Sequence, residues 1–184
     1  MEWKERKVTL NKIVIYSSRY GTSAKYAHKI AEQKNYFLCS LDKIVNYTDK
    51  CDEIIFIAPI YIGKIFGFNK LIRELRQSNQ VKITLIIVGI YDPQRAENNL
   101  KIEKMIIKMV EGSSFKLQSI YRLRGQLNIK KLSITHRILI NALYTAAKKK
   151  GNEDLSENEK DIISAYENQK QVNDDNFNKM LKNI

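Results

Sequence analysis

The sequence predicts a parallel α/β sheet covered by helices on both faces, and three observations carry that reading. Short β-branched runs alternate with helical stripes along most of the chain, two of the runs are apolar on both sides, and the length suits one such domain. The 184 residues are 43% apolar and 28% charged, with only 7 Gly and 2 Pro. That is the composition of a globular protein with room for a full core, and it excludes disorder, collagen-like repeats and a disulfide scaffold.

The first strand is Lys-Ile-Val-Ile-Tyr-Ser at residues 12–17, a β-branched run that stops at polar residues. A helix follows over 22–33, where Ala24, Ala27, Ile30 and Ala31 share a stripe while Lys25, Lys29 and Glu32 lie off it. Residues 36–40, 53–58 and 83–88 give the second, third and fourth strands. The third and fourth are apolar on both faces, as strands between two helix layers are. Helical patterns occupy Leu71, Ile72 and Leu75, and then Ile102, Met105, Ile106, Met109 and Val110. A fifth strand is expected over 115–121, reached like the others by right-handed crossovers.

Residues 132–147 make a further helix, with Leu132, Leu139, Leu143 and Ala147 near one face. Ser156-Glu157-Asn158-Glu159 has the capping-box pattern just ahead of Ile162, Ile163 and Tyr166. Asp174 caps a last helix whose Phe177, Met180, Leu181 and Ile184 form a stripe. That stripe either folds back on the domain or meets a second chain, as in a homodimer, or a membrane surface. The division expected is a domain over 1–148 and a polar helical extension over 149–184.

No apolar run exceeds about ten residues, half of what a membrane-spanning helix needs. The mixed-charge start, Met1-Glu2-Trp3-Lys4-Glu5-Arg6-Lys7, lacks the apolar core of a secretory signal, so a cytoplasmic protein is expected. Cys39 and Cys51 form no C-x-x-C pair and no metal-spaced cluster with His28 or His136, and they read as buried thiols. Neither histidine is assigned a role. The net charge is +12 and uneven: residues 116–150 hold nine Lys or Arg and no acid, whereas 151–184 hold eight Asp or Glu and four Lys. Such a block either only solvates the surface or attracts an anionic partner. Of the anionic partners, peripheral contact with the inner face of a membrane is expected, and specific nucleic-acid binding is not.

The chemistry is expected between the first strand and the first helix. Ser18, Arg19, Tyr20, Gly21, Thr22 and Ser23 make a hydroxyl-rich loop running directly into the helix N-terminus. Unpaired backbone N–H groups there lie at the positive end of the helix dipole, Ser18, Thr22 and Ser23 add hydroxyls, and Gly21 permits a positive φ. That inventory fits one phosphate monoester. Without G-K-[ST] or G-x-G-x-x-G spacing, the loop is neither a P-loop nor a dinucleotide fingerprint.

The stretch resembles the flavodoxin family, in which an apolar strand, a hydroxyl residue, a loop with Gly, a Thr and then Ala and an aliphatic residue follow one another. Ser18, Gly21, Ser23, Ala27 and Ile30 occupy those positions, with Ser23 in place of the usual Thr. The resemblance implies a flavodoxin-like doubly wound sheet of order 2-1-3-4-5, with FMN held by its phosphate in this loop. Residues 51–65 look like the family's third strand and flavin-contacting loop, which places Pro59, Ile60, Tyr61, Ile62 and Gly63 at the flavin. Tyr61 would stack on the ring, and the Gly63 peptide would face its N5. By topology, Gly89 and Tyr91 would form the opposite wall, since ligands bind at the carboxyl ends of the strands in such sheets.

Residues 121–133, with Leu123, Arg124, Gly125, Leu127, Lys131, Leu132 and Ser133, resemble the L-R-G-x-L-x-x-x-K-L-S stretch of the flavodoxin-type, menaquinone-dependent protoporphyrinogen oxidases and their relatives. That likeness implies an FMN-dependent oxidoreductase passing electrons between an organic substrate or reductase and a quinone. An Arg-rich loop also suits a carboxylate-bearing substrate. Two other readings stay open. One is a flavodoxin-type electron carrier, disfavoured by the basic surface, and the other is a flavin-free binding module using the 116–150 face.

Overall fold

The structure, a computed structural model, describes residues 11–46, 51–75, 81–168 and 174–184. Five parallel strands make the sheet: β1 (Lys12–Tyr16), β2 (Phe37–Ser40), β3 (Glu53–Tyr61), β5 (Lys82–Gly89) and β6 (Lys116–Arg124). Their order is β2-β1-β3-β5-β6, and the two-residue β4 (Lys64–Ile65) pairs antiparallel with the end of β3, off that path. With β4 set aside, this is the expected order 2-1-3-4-5.

The two-residue period of the strands divides their apolar side chains between two helix layers. Ile13, Ile15, Ile54, Phe56, Ile83 and Leu85 pack with Phe68 and Leu71 of α2 (Phe68–Glu74) and Ile106 of α3 (Ala96–Val110). Val14, Ile55, Ile57, Ile86 and Val88 face the other way, onto Tyr26, Ala27 and Ile30 of α1 (Thr22–Lys34). Beside α1, Phe177 and Met180 of α6 (Asp174–Leu181) complete that layer, the Phe177 ring stacked on Tyr26 at 5.3 Å. The last helix therefore folds back on the domain.

Helix α4 (Ile134–Lys148) stands apart from the sheet and pairs with α5 (Glu157–Glu167). Leu127, Ile140 and Ile162 form a small third cluster between them, and the Tyr144 and Tyr166 rings stack at 3.9 Å. Here the expected α4 face needs correction. Ile140 and Ala147 are buried, whereas Leu139 and Leu143 are exposed, because the helix packs on α5 and Leu127 rather than on the sheet. The capping box of α5 is present as the pattern predicted, with Ser156 and Glu159 bonding reciprocally. Lys150, and after it Ser156, hold the Glu159 carboxyl down at about 2.

β3, β5 and β6 run longer than the periodicity suggested, while β1 and β2 are each one residue shorter. β3 continues through Pro59, whose partner in β5 is Val88, and β6 continues to Arg124. Cys39 and Cys51 are buried free thiols, and burial pushes Cys39 up to about 11. No helix among the described residues is long and apolar enough to cross a membrane.

Candidate functional site

The hydroxyl loop leaves the carboxyl end of β1 and turns into α1 through Gly21, which takes φ 96°. A Cβ built there would meet nothing within 4 Å, so the loop faces open space at the helix N-terminus. Ser18 Oγ accepts the Gly21 N–H at 3.1 Å and braces the turn. Thr22 Oγ1 donates to the Gln126 carbonyl at 3.4 Å, and the Arg19 guanidinium lies 5.9 Å from the Tyr20 ring centre. Ser23 is 1% exposed, and its Oγ has no hydrogen-bond partner. A buried hydroxyl without a partner costs about 1–3 kcal/mol, so the native state of this loop is short of one acceptor or donor.

Pro59 and Ile60 belong to β3 rather than to a loop, and the chain reverses tightly from Tyr61 to Lys64. Ile62 and Gly63 take φ 48° and 68°, the two positive values a two-residue type I′ hairpin requires. Ile62 is 75% exposed at the tip. Tyr61 turns toward the first loop, its ring 5.6 Å from Tyr20 and 5.4 Å from His136. Burial, above all, pushes the Tyr61 phenol up to about 12, so it stays protonated at physiological pH and keeps its hydrogen-bond donor.

His136, to which no role was assigned from its spacing, lies in the first turns of α4 against both loops. The Tyr20 hydroxyl shares a 2.7 Å hydrogen bond with His136 Nδ1 and donates to Ser133 Oγ at 3.3 Å. Ser133 in turn caps α4 by accepting the His136 N–H. The only hint in the sequence was the Ser-x-x-His spacing of a capped helix start, which says nothing of Tyr20, 116 positions away.

The third region sits at the end of β5. Gly89 is tightly packed, since a Cβ there would sit 3.0 Å from Ile60 Cγ2 and the Ile60 side chain would have to give. Gly125 presses on the same spot, its N–H donating to the Gly89 carbonyl at 2.6 Å. Partial burial, followed by the nearby Asp161 carboxylate, raises the Tyr91 phenol. Asp161 of α5 is the buried hub here. It accepts the Asp92 N–H at 2.9 Å and pairs with Arg95 at 2.8 Å and Arg124 at 3.4 Å. Arg122 is likewise engaged, with Glu103 at 2.6 Å. The two arginines expected to face a carboxylate substrate are thus spent inside the fold.

The residues of the L-R-G stretch have structural duties: Leu123 and Leu127 are buried, Arg124 holds α5, Gly125 fits against Gly89, and Ser133 starts α4. A family profile described as "Flavodoxin domain" matches residues 13–154. The chain belongs to the flavodoxin domain family. Similar solved structures include a flavoprotein in complex with FMN from Lactobacillus acidophilus (14% identity, 61% of this chain and 92% of that one, TM-score 0.48). Others are the Trp repressor binding protein of Bacillus subtilis (18%, 62% and 85%, 0.47) and an NADPH-quinone reductase from P. pentosaceus (10%, 70% and 90%, 0.44). A search among curated proteins gave no match.

In this flavodoxin domain, the residues of the first loop fit a phosphate monoester. The helix N-terminus is open at Gly21, and Ser23 carries a buried hydroxyl without a partner, which a phosphate oxygen would satisfy. Of the residues expected at a flavin, the structure brings Tyr20 and Tyr61 together at that loop. It places Gly89 against Ile60 and Tyr91 near Asp161 of α5. No cluster of metal-ligating residues exists among the described residues.

Proposed function

We propose that this flavodoxin domain binds FMN and works as an oxidoreductase that passes electrons from an organic substrate or a reductase to a quinone-type acceptor. The single observation carrying the cofactor assignment is the α1 entrance, where the unpartnered Ser23 hydroxyl lies two residues after Gly21 in its left-handed turn. Ser18, Thr22 and Ser23, with the backbone N–H groups of Thr22 and Ser23, would hold the phosphate. Arg19 adds a positive charge at the rim of the loop. Tyr61 and the Ile62–Gly63 turn would flank one side of the ring, and Gly89 and Tyr91 the other.

Bound FMN supplies the two-electron redox chemistry, so no protein nucleophile is needed. The chain's own residues position and shield. Tyr61 offers an apolar face with a phenol that keeps its proton, and Tyr20 ties the phosphate loop to the start of α4 through His136. The net charge of +12 disfavours an electron carrier that needs an acidic docking surface. A porphyrinogen-type donor is the finer form of the proposal, supported by the L-R-G stretch. Arg122 and Arg124 are already paired with Glu103 and Asp161, so neither is free for a substrate carboxylate.

The test is a visible absorption spectrum after incubation with FMN and removal of free ligand. Two retained flavin bands are expected, and no retained flavin would overturn the proposal. Changing Ser18→Ala and Ser23→Ala should cost about 1.5–3 kcal/mol each, as lost hydrogen bonds to a charged group do. FMN affinity then falls at least tenfold per hydroxyl.

A further inference from the structure

Helix α4 leaves an apolar stripe facing outward. Ile134 and Ile138, 69% and 64% exposed, stand four residues apart with Ala142 next in line, while on the opposite side Ala147 is buried and Ile140 packs with Ile162 of α5. Exposed cations surround the stripe. Lys148 and Lys150 are neutralised by Glu167 and Glu159, but Lys130, Lys131, Arg137 and Lys149 form no ion pair among the described residues. The four form a rim, with Lys130 and Lys131 just before the helix, Arg137 on its flank and Lys149 at its end.

We propose that this face of α4 docks on the surface of an anionic lipid bilayer, with Ile134 and Ile138 entering the headgroup boundary and the four cations meeting lipid phosphates. Exposed apolar side chains framed by Lys and Arg are what an interfacial helix presents. A second copy of the chain is disfavoured as occupant, because a symmetric contact would bring two such cationic rims together with no acid from 116–150 to offset them. The inference stands on the surface alone, independently of the FMN reading.

Co-sedimentation of the full chain, without flavin, tests it. The vesicles are either phosphatidylcholine alone or an equal mixture with phosphatidylglycerol. Binding to the mixed vesicles, weakening as salt is raised, is expected, with little binding to the neutral ones. Each cation near such a surface is worth about fivefold in partitioning. Lys130→Gln, Lys131→Gln and Arg137→Gln together should therefore weaken binding on the order of a hundredfold. Ile134→Ser with Ile138→Ser should abolish it, and all five positions are exposed enough for the variants to fold, which circular dichroism checks. The proposal is overturned by absence of binding at low salt, by binding that neither variant changes, or by a dimer in sedimentation that the Ile138→Ser variant dissociates.

Discussion

Ile62 shows most plainly how one residue can sit against its local preference. The hairpin needs two residues at positive φ, and a β-branched side chain in that region is strained by about 1–2 kcal/mol. Ile62→Asn, which makes the preferred Asn-Gly pair, should stabilise the fold by about 1 kcal/mol, seen as a higher Tm in thermal denaturation. Gly67 is the opposite case. Its φ is 84°, and an added Cβ would come within 2.5 Å of Leu41 Cδ2 and 2.9 Å of Ser17 Oγ. Gly67→Ala should therefore destabilise by about 2–4 kcal/mol in denaturant titration, from backbone strain and overpacking together. At this scale the sequence was legible where function is local. Ser18, Gly21 and Ser23 lie within six residues and follow the physics of one helix terminus. His136 and Asp161 were illegible because what defines them is a partner 116 or 69 positions away.

Among the elements, α5 has the clearest duty. Through Asp161 it holds the Asp92 backbone, the N-cap Arg95 of α3 and the end of β6, so the third loop of the site is set by a helix outside the sheet. Asp161→Asn should weaken FMN and riboflavin by the same factor, because it acts on the ring side. The Ser18 and Ser23 changes, acting on the phosphate, should weaken FMN alone, and isothermal titration with both ligands separates the two. The start of α5 is also sensitive to pH. Glu159 is held well below its ordinary value, so the contribution of its charge is present above about pH 4.5 and is lost as pH falls toward 2. Helical ellipticity should decline over that window, and Glu159→Gln should reduce the pH dependence without removing it, because Glu157 and Glu167 of α5 are also held below the ordinary carboxylate value by Lys160 and Lys148. The capping box made this helix readable in advance. The inward face of α4 was read half correctly, with Ala147 buried and Leu132 packed but Leu139 and Leu143 exposed, since the stripe alone does not say whether a helix packs on a sheet or on another helix.

At the level of the whole molecule, the parallel sheet was legible because strands buried on both faces leave a run of apolar residues that no half-exposed strand shares. What the pattern hid was the helix that completes the α1 layer. Residues 132–147 follow the last strand directly, yet α6, some thirty residues later, takes that place, with Phe177 and Met180 buried against the core. Phe177→Ala should cost about 3–5 kcal/mol, measurable by urea unfolding.

The position of α6 in the chain also imposes a timetable. During synthesis every strand emerges before Phe177 does, so the sheet face over Tyr26 stays partly uncovered until the last helix leaves the ribosome. A nascent chain paused after residue 168 carries the hydroxyl loop and all three loop regions in full but lacks the part of one core wall that α6 supplies beside α1. Its vulnerability to aggregation or proteolysis should end abruptly, rather than gradually, as the final helix docks.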